Sequence, residues 1–166
     1  IASIPSQQVI RLVVRQKSDT QGHLGLGSGW LTEFVQLKEK VALRIRTNES
    51  FHLIDDNRPI ICIGNGTGIA GLMSLLQQRN RQNYVENWLI FGERQRECDF
   101  FYKETIDAWK NMGTLKRVDL AFSRDQEQRI YVQDLLRTNA DELSKWINQG
   151  AVIYVCGSIE GMASGV

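Results

Sequence analysis

The chain has 166 residues, 42% of them hydrophobic, and this length can bury one good core with room for part of a second domain. Its formal net charge of +1 excludes the strongly basic surface of a nucleic-acid-binding or membrane-surface protein. The longest apolar runs, residues 59–63 and 151–156, have the length of strands, so we expect no membrane insertion within this chain.

The cysteines and the chain ends indicate the setting in which the protein works. Cys62, Cys98 and Cys156 are odd in number and form no CxxC pair, which favours a reducing compartment, the cytoplasm, and argues against a metal site or a disulfide framework. The chain begins without methionine and ends within residues 158–166, which predict a helix. We therefore expect a piece of a longer protein, and the sequence leaves open whether that parent is membrane-anchored.

Residues 1–55 predict part of an antiparallel sheet. Apolar and basic residues roughly alternate at 9–15 and 41–46, which is typical of strands with one solvated face. Between them, the glycine-rich "GLGSGWLTEF" predicts a loop that enters a short helix. The polar segment 53–59 predicts a connector, so we place a domain boundary between residues 55 and 56.

Residues 56–166 predict an α/β domain. The strands are expected at 59–64, 87–92, 115–123 and 151–157. Helices are expected from 69 to 76, from 99 to 112, and from the capping pair Thr138 and Asp141 to Gly150. Strands that alternate with helices indicate a parallel sheet with helices on both faces, which binds its ligands at the carboxyl ends of the strands.

A glycine-rich segment, "GNGTGIAG" at 64–71, follows the first of these strands and opens a helix. Gly66, Gly68 and Gly71 have the GxGxxG spacing that lets a pyrophosphate approach the backbone at a helix N-terminus. The alternative is an ordinary strand-to-helix turn. Glu93, after the second strand, is a candidate for holding ribose hydroxyls, although the arginines at 94 and 96 argue against an acidic ribose site.

A second polar segment, "AFSRDQEQRIYVQD" at 121–134, follows the third strand. The guanidiniums of Arg124 and Arg129 with the hydroxyl of Ser123 suit a dianion such as a 2′-phosphate. Tyr131 offers a ring that can stack on adenine. The alternative is a solvated, charged loop without a ligand.

These segments, in their order along the chain, resemble the ferredoxin–NADP reductase family, and in particular its diflavin branch. The resemblance rests on "IASIP", "GLGSGWL", "GNGTGIAG", "FGERQRECDFFY", "AFSRDQEQRIYVQD" and "YVCG". It implies a parallel-sheet NADP-binding domain that is preceded by the last part of an antiparallel β-barrel FAD-binding domain. It also implies transfer of hydride from NADPH to FAD, followed by single electrons to an FMN domain, a flavodoxin-like partner, or a haem or iron–sulfur acceptor.

The resemblance implies a role for individual residues. For the 2′-phosphate and adenine it implies Ser123, Arg124, Arg129, Tyr131 and Gln133. For the pyrophosphate it implies Thr67 and Arg94 together with Gly66 and Gly68, and for the nicotinamide Cys156, the catalytic candidate, with Gly157. For the FAD phosphates it implies Gly25, Leu26, Gly27 and Ser28.

The chain departs from the family pattern at three positions. Asn65 and Gly71 replace the two prolines of the usual glycine loop, so we expect that loop to be less rigid, and Ser158 replaces an aspartate after the cysteine–glycine pair. Two other functions remain open at this point: an NAD-dependent Rossmann dehydrogenase without flavin, which the GxGxxG spacing favours, and a nucleotide-binding module without redox activity.

Overall fold

The computed structural model describes residues 1–158, 162 and 165–166, and four strands form its single named sheet. The strands are β1 (Ile60–Asn65), β2 (Asn87–Glu93), β3 (Arg117–Phe122) and β4 (Val152–Cys156). All neighbours are parallel, in the order β3-β2-β1-β4, with Ile60 opposite both Asn87 and Val152. The predicted α/β class and parallel sheet are confirmed, whereas the helix expected at 158–166 lies largely outside the described residues.

Helices connect the strands and flank the sheet. They are α1 (Leu26–Gly29), α2 (Ile69–Arg81), α3 (Arg96–Asp99), α4 (Lys103–Asn111), α5 (Val132–Thr138) and α6 (Ala140–Asn148). A single π-helical turn, Trp30–Phe34, continues α1, and 3₁₀ turns form at Pro5–Gln7 and Gly66–Gly68. In the part of the chain that the structure describes, no helix combines the length and the apolar character needed to cross a bilayer.

The core has two layers because alternate side chains of a strand point to opposite faces of the sheet. Ile60 and Cys62 pack in a cluster with residues of α2 and α4, whereas Ile61 and Ile63 pack with residues of α5 and α6. All four side chains are buried, and each isoleucine contributes about 1.5–3 kcal/mol relative to an exposed one. Helices therefore cover both faces of the sheet, as predicted.

Helix α2 continues to Arg81, beyond the expected residue 76, and α5 was not expected from the sequence; two further helix boundaries also differ. Tyr102 adopts a left-handed conformation, with φ of 60°, which separates α3 from α4 where one helix from 99 to 112 was expected. Phe100 packs edge-on against Phe122 at 5.5 Å between ring centroids, so burial of an aromatic ring overrides helical continuity here. Thr138 ends α5 instead of capping α6, whose N-cap position belongs to Asn139, so the predicted capping pair is wrong.

Residues 1–55 contain neither of the strands expected at 9–15 and 41–46, although the structure describes both segments. The only bridge there joins Ser18 and Leu24. Leu12 and Leu43 remain 51% and 56% exposed. The backbone N–H and C=O groups of a strand form hydrogen bonds with a neighbouring strand. Neither segment pairs in this way with another strand among the described residues. The assignment of residues 1–55 to a barrel and the boundary after residue 55 stay predictions.

This N-terminal segment nevertheless packs against the α/β core. The amide of Gln7 donates to the side-chain oxygen of Gln77 on α2 at 2.8 Å. The Tyr154 hydroxyl of β4 accepts the N–H of Ile54 at 2.9 Å and donates to the carbonyl of His52 at 3.0 Å. These contacts hold residues 1–55 against the face of the sheet that α2 and α4 cover.

Candidate functional site

A cleft of about 780 Å³ lies at the carboxyl edge of the sheet. The ends of all four strands contribute to it, through Asn65 of β1, Glu93 of β2, Ala121 of β3 and Cys156 of β4. The strand order reverses between β1 and β4, and open parallel sheets bind ligands at such switch points. The cleft is therefore in the place where the α/β pattern predicts a ligand.

The glycine segment forms the floor of this cleft at the start of α2. Gly66 has a φ of 57°, in the left-handed region that a side chain disfavours. Gly68 is required for a different reason, because a methyl group added there would overlap the carbonyl group of Cys156. Thr67 lies between them and also lines the cleft. The turn thus exposes its backbone to the cleft while packing tightly against the end of β4.

Three guanidiniums reach the cleft from the ends of β2 and β3. Arg94, Arg124 and Arg129 all line it, and among the described residues none of them has a carboxylate partner. The backbones of Arg94 and Arg124 are fixed, because the N–H of Ser123 donates to the carbonyl of Glu93 at 2.9 Å and that of Arg124 to the carbonyl of Arg94 at 2.8 Å. These cations are arranged to receive an anion from outside the chain.

Tyr131 and Gln133 line the same end of the cleft. The backbone N–H of Tyr131 donates to the carboxylate of Asp134 at 2.9 Å, which fixes Tyr131 at the N-cap of α5. Its side chain is 41% exposed, whereas Val132 beside it is buried in the core. The backbone is therefore held in place while the ring stays accessible to a flat ligand.

Cys156 and Gly157 lie in the cleft beyond the glycine turn. A methyl group added at Gly71 would be 3.3 Å from the Cys156 sulfur and 3.2 Å from the ring of Phe51, so the thiol faces a partly apolar environment. Burial raises the pKa of the Cys156 thiol above its usual range. The thiol is consequently neutral at physiological pH and poorly suited to act as a nucleophile.

The residues predicted for FAD form a separate feature beside the cleft. Gly25 precedes α1, which contains Leu26, Gly27 and Ser28, and none of the four lines the cleft. Lys17 connects the two features: it lines the cleft, its carbonyl accepts the N–H of Gly25 at 2.7 Å, and its N–H donates to the Ser28 hydroxyl at 3.2 Å. No atom lies within 4 Å of a methyl group added at Gly27, which leaves room for a phosphate at this turn.

The cleft also contains residues that the sequence analysis did not predict for the site. Arg15 and Lys17 enter from the N-terminal segment, and Arg15 forms an ion pair with Glu93, whose side chain is only 2% exposed. The second carboxylate oxygen of Glu93 accepts the N–H of Arg94 at 3.0 Å, so Glu93 is engaged and the interpretation as a ribose ligand loses support. Arg15 and Glu93 are 78 positions apart, and no local pattern could have revealed their contact.

Comparison with known proteins gives two results. The family described as "Oxidoreductase NAD-binding domain" matches residues 62–166. Curated proteins similar to the chain are named "Sulfite reductase [NADPH] flavoprotein alpha-component", from Neisseria meningitidis serogroup C, strain 053442 (40% identity over 92% of this chain), and from Salmonella typhimurium (42% over 93%). The chain spans about a quarter of each relative, 26% of its length.

Proposed function

The chain belongs to the oxidoreductase NAD-binding domain family, and from this premise we propose that it is the nucleotide-binding part of an NADPH-dependent flavoprotein reductase. The observation that carries the proposal is the convergence of three guanidiniums, those of Arg94, Arg124 and Arg129, on the cleft that also contains the glycine turn and Cys156; none of the three pairs with a carboxylate among the described residues. A cofactor with several phosphate groups suits this positive charge, and a 2′-phosphate distinguishes NADPH from NADH.

The order of the strands indicates the direction in which the nucleotide lies across the cleft. The loop after β3 carries Ser123 and Arg124, the loop after β2 carries Arg94, the glycine turn follows β1, and Cys156 ends β4. Three strand spacings of about 4.8 Å separate β3 from β4, so the two ends of the site are roughly 14 Å apart. An extended dinucleotide laid across them places its 2′-phosphate at β3, its pyrophosphate at β2 and β1, and its nicotinamide at β4.

The residues of the chain would bind and orient the reactants. When both are bound, NADPH supplies a hydride and FAD accepts it. Arg124 and Ser123 fix the adenosine end, Tyr131 stacks on the adenine, and the neutral Cys156 thiol borders the nicotinamide without forming a bond to it. We assign the turn from Gly25 to Ser28 to the FAD phosphates, because it is held to Lys17 beside the cleft.

The same proposal includes the acceptor that receives electrons from FAD. The relatives are named as NADPH-linked flavoprotein components of sulfite reductase. By analogy, the full-length protein would pass single electrons from FAD to an FMN domain or flavodoxin-like partner, and from there to a haem or iron–sulfur protein. Three free cysteines favour a reducing compartment such as the cytoplasm for this reaction.

Calorimetry on this chain tests the nucleotide assignment. We expect NADP⁺ and 2′,5′-ADP to bind at least about tenfold more tightly than NAD⁺ and 5′-AMP, because one charge-assisted contact contributes about 1.5–3 kcal/mol. Arg124→Ala should abolish most of this preference, whereas Arg81→Ala, at the exposed end of α2, should retain it. Equal affinity for phosphorylated and unphosphorylated ligands would contradict the proposal. Absorbance and mass spectrometry of the full-length protein should then detect FAD.

A further inference from the structure

One side chain joins the two loops on either side of the switch point. Asn65, the last residue of β1, lines the cleft, and its Oδ1 atom accepts the backbone N–H of Ser158 at 3.0 Å. Ser158 lies two positions beyond the end of β4, 93 residues away in sequence. The hydrogen bond therefore connects the glycine turn to the loop after β4, where the nicotinamide end of the proposed nucleotide site lies.

The backbones of the two loops are also in close contact. A methyl group added at Gly64 would lie 2.8 Å from the Cys156 carbonyl oxygen, and one added at Gly68 would overlap that carbonyl. A methyl group added at Gly157 would overlap the Oδ1 atom of Asn65. Because the loops touch with so little space between them, a displacement of one is transmitted to the other.

We propose that Asn65 is a positioning residue, which rests on the function proposed above: it fixes residues 156–158 relative to the pyrophosphate-binding turn and thereby sets where the nicotinamide lies. The proline found at this position in the resembling family has no side-chain acceptor. It would also require φ near −65°, whereas Asn65 has φ of −140°. In this chain the asparagine therefore joins the two loops through a hydrogen bond, whereas the sequence alone predicted only a less rigid loop.

This role predicts an effect on the rate rather than on binding. In the full-length protein, Asn65→Ala should slow flavin reduction at saturating NADPH by about two- to tenfold, the value expected for one neutral hydrogen bond. The affinity for 2′,5′-ADP should stay within twofold, because Arg124 and Arg129 are unchanged and do not contact Asn65 among the described contacts. Asn65→Asp keeps an acceptor oxygen and should restore the rate, although its charge should raise the NADPH concentration needed for saturation.

Stopped-flow flavin absorbance measures the rate, and calorimetry with 2′,5′-ADP measures the affinity. Asn148→Ala, at the exposed end of α6, is the matched control and should behave as wild type. If wild type itself fails to reduce its flavin with NADPH, the proposed function is wrong. If wild type is active and Asn65→Ala is equally fast, or if Asn65→Asp fails to restore the rate, only the positioning role is overturned. Should Asn65→Ala not fold, Asn65→Ser, which is too short to span the gap, replaces it.

Discussion

Arg124→Ala is the substitution that most directly tests the 2′-phosphate site. The backbone of Arg124 is fixed by its hydrogen bond of 2.8 Å to the Arg94 carbonyl, and its exposed side chain has no carboxylate partner among the described residues. A charge-assisted contact to phosphate contributes about 1.5–3 kcal/mol, and each 1.4 kcal/mol corresponds to about tenfold in affinity. The Michaelis constant for NADPH should rise by about one to two orders of magnitude, toward the lower value at physiological salt because the site is exposed.

The assay compares NADPH with NADH in the full-length protein. NADH has no 2′-phosphate, so Arg124→Ala should leave the activity with NADH almost unchanged. The preference for NADPH over NADH should therefore fall by the same factor as the affinity for NADPH. Arg81→Ala removes a guanidinium from an exposed helix end outside the cleft and should leave both constants unchanged. Added salt should weaken NADPH binding to wild type more than to Arg124→Ala.

One outcome would refute this reasoning. If Arg124→Ala lowered activity with both nucleotides equally, or only lowered the unfolding temperature, the guanidinium would not be recognising a 2′-phosphate. The segment from Ser123 to Tyr131 would then be a solvated turn whose sequence happens to resemble a phosphate site.

Three further predictions concern other parts of the structure. Cys156→Ala should slow flavin reduction by either nucleotide with little change in binding, measured by stopped flow; a change confined to the Michaelis constant would argue against a nicotinamide contact. Gly68→Ala should lower the unfolding temperature and weaken NADP⁺ binding, because the added methyl group meets the Cys156 carbonyl; an unchanged affinity would contradict the described packing. Burial raises the pKa of the Cys62 thiol to about 12, from 9.0. Its neutral form stabilises the fold below pH 9, and this stability should be lost as pH rises toward 12, which denaturation of wild type and Cys62→Ala would reveal. The same burial of Cys62 should protect its thiol from iodoacetamide at pH 8 until the protein unfolds, while exposed Cys98 is modified; rapid labelling of Cys62 in the folded protein would contradict this burial.

The sequence by itself determined the α/β class of the domain and indicated which polar segments meet at the cleft. Apolar runs such as residues 59–63 and helical spacing such as 69–76 are local patterns that depend on nearby residues. The carboxyl ends of parallel strands meet at one edge, so polar segments that follow successive strands must lie close together. For this reason the residues that the resemblance implies for NADP, from Gly66 to Gly157, line the same cleft, although Gly71 of the glycine spacing does not.

The tertiary structure alone decided what depends on residues far apart in sequence. Segments 9–15 and 41–46 have strand-like patterns but find no neighbouring strand among the residues that the structure describes, because pairing is a property of two segments and not of one. The ion pair of Arg15 with Glu93 and the hydrogen bond of Asn65 with Ser158 join positions 78 and 93 residues apart. Periodicity carries no information about such contacts, since they arise only when the packed chain brings the donor and the acceptor to the same edge of the sheet.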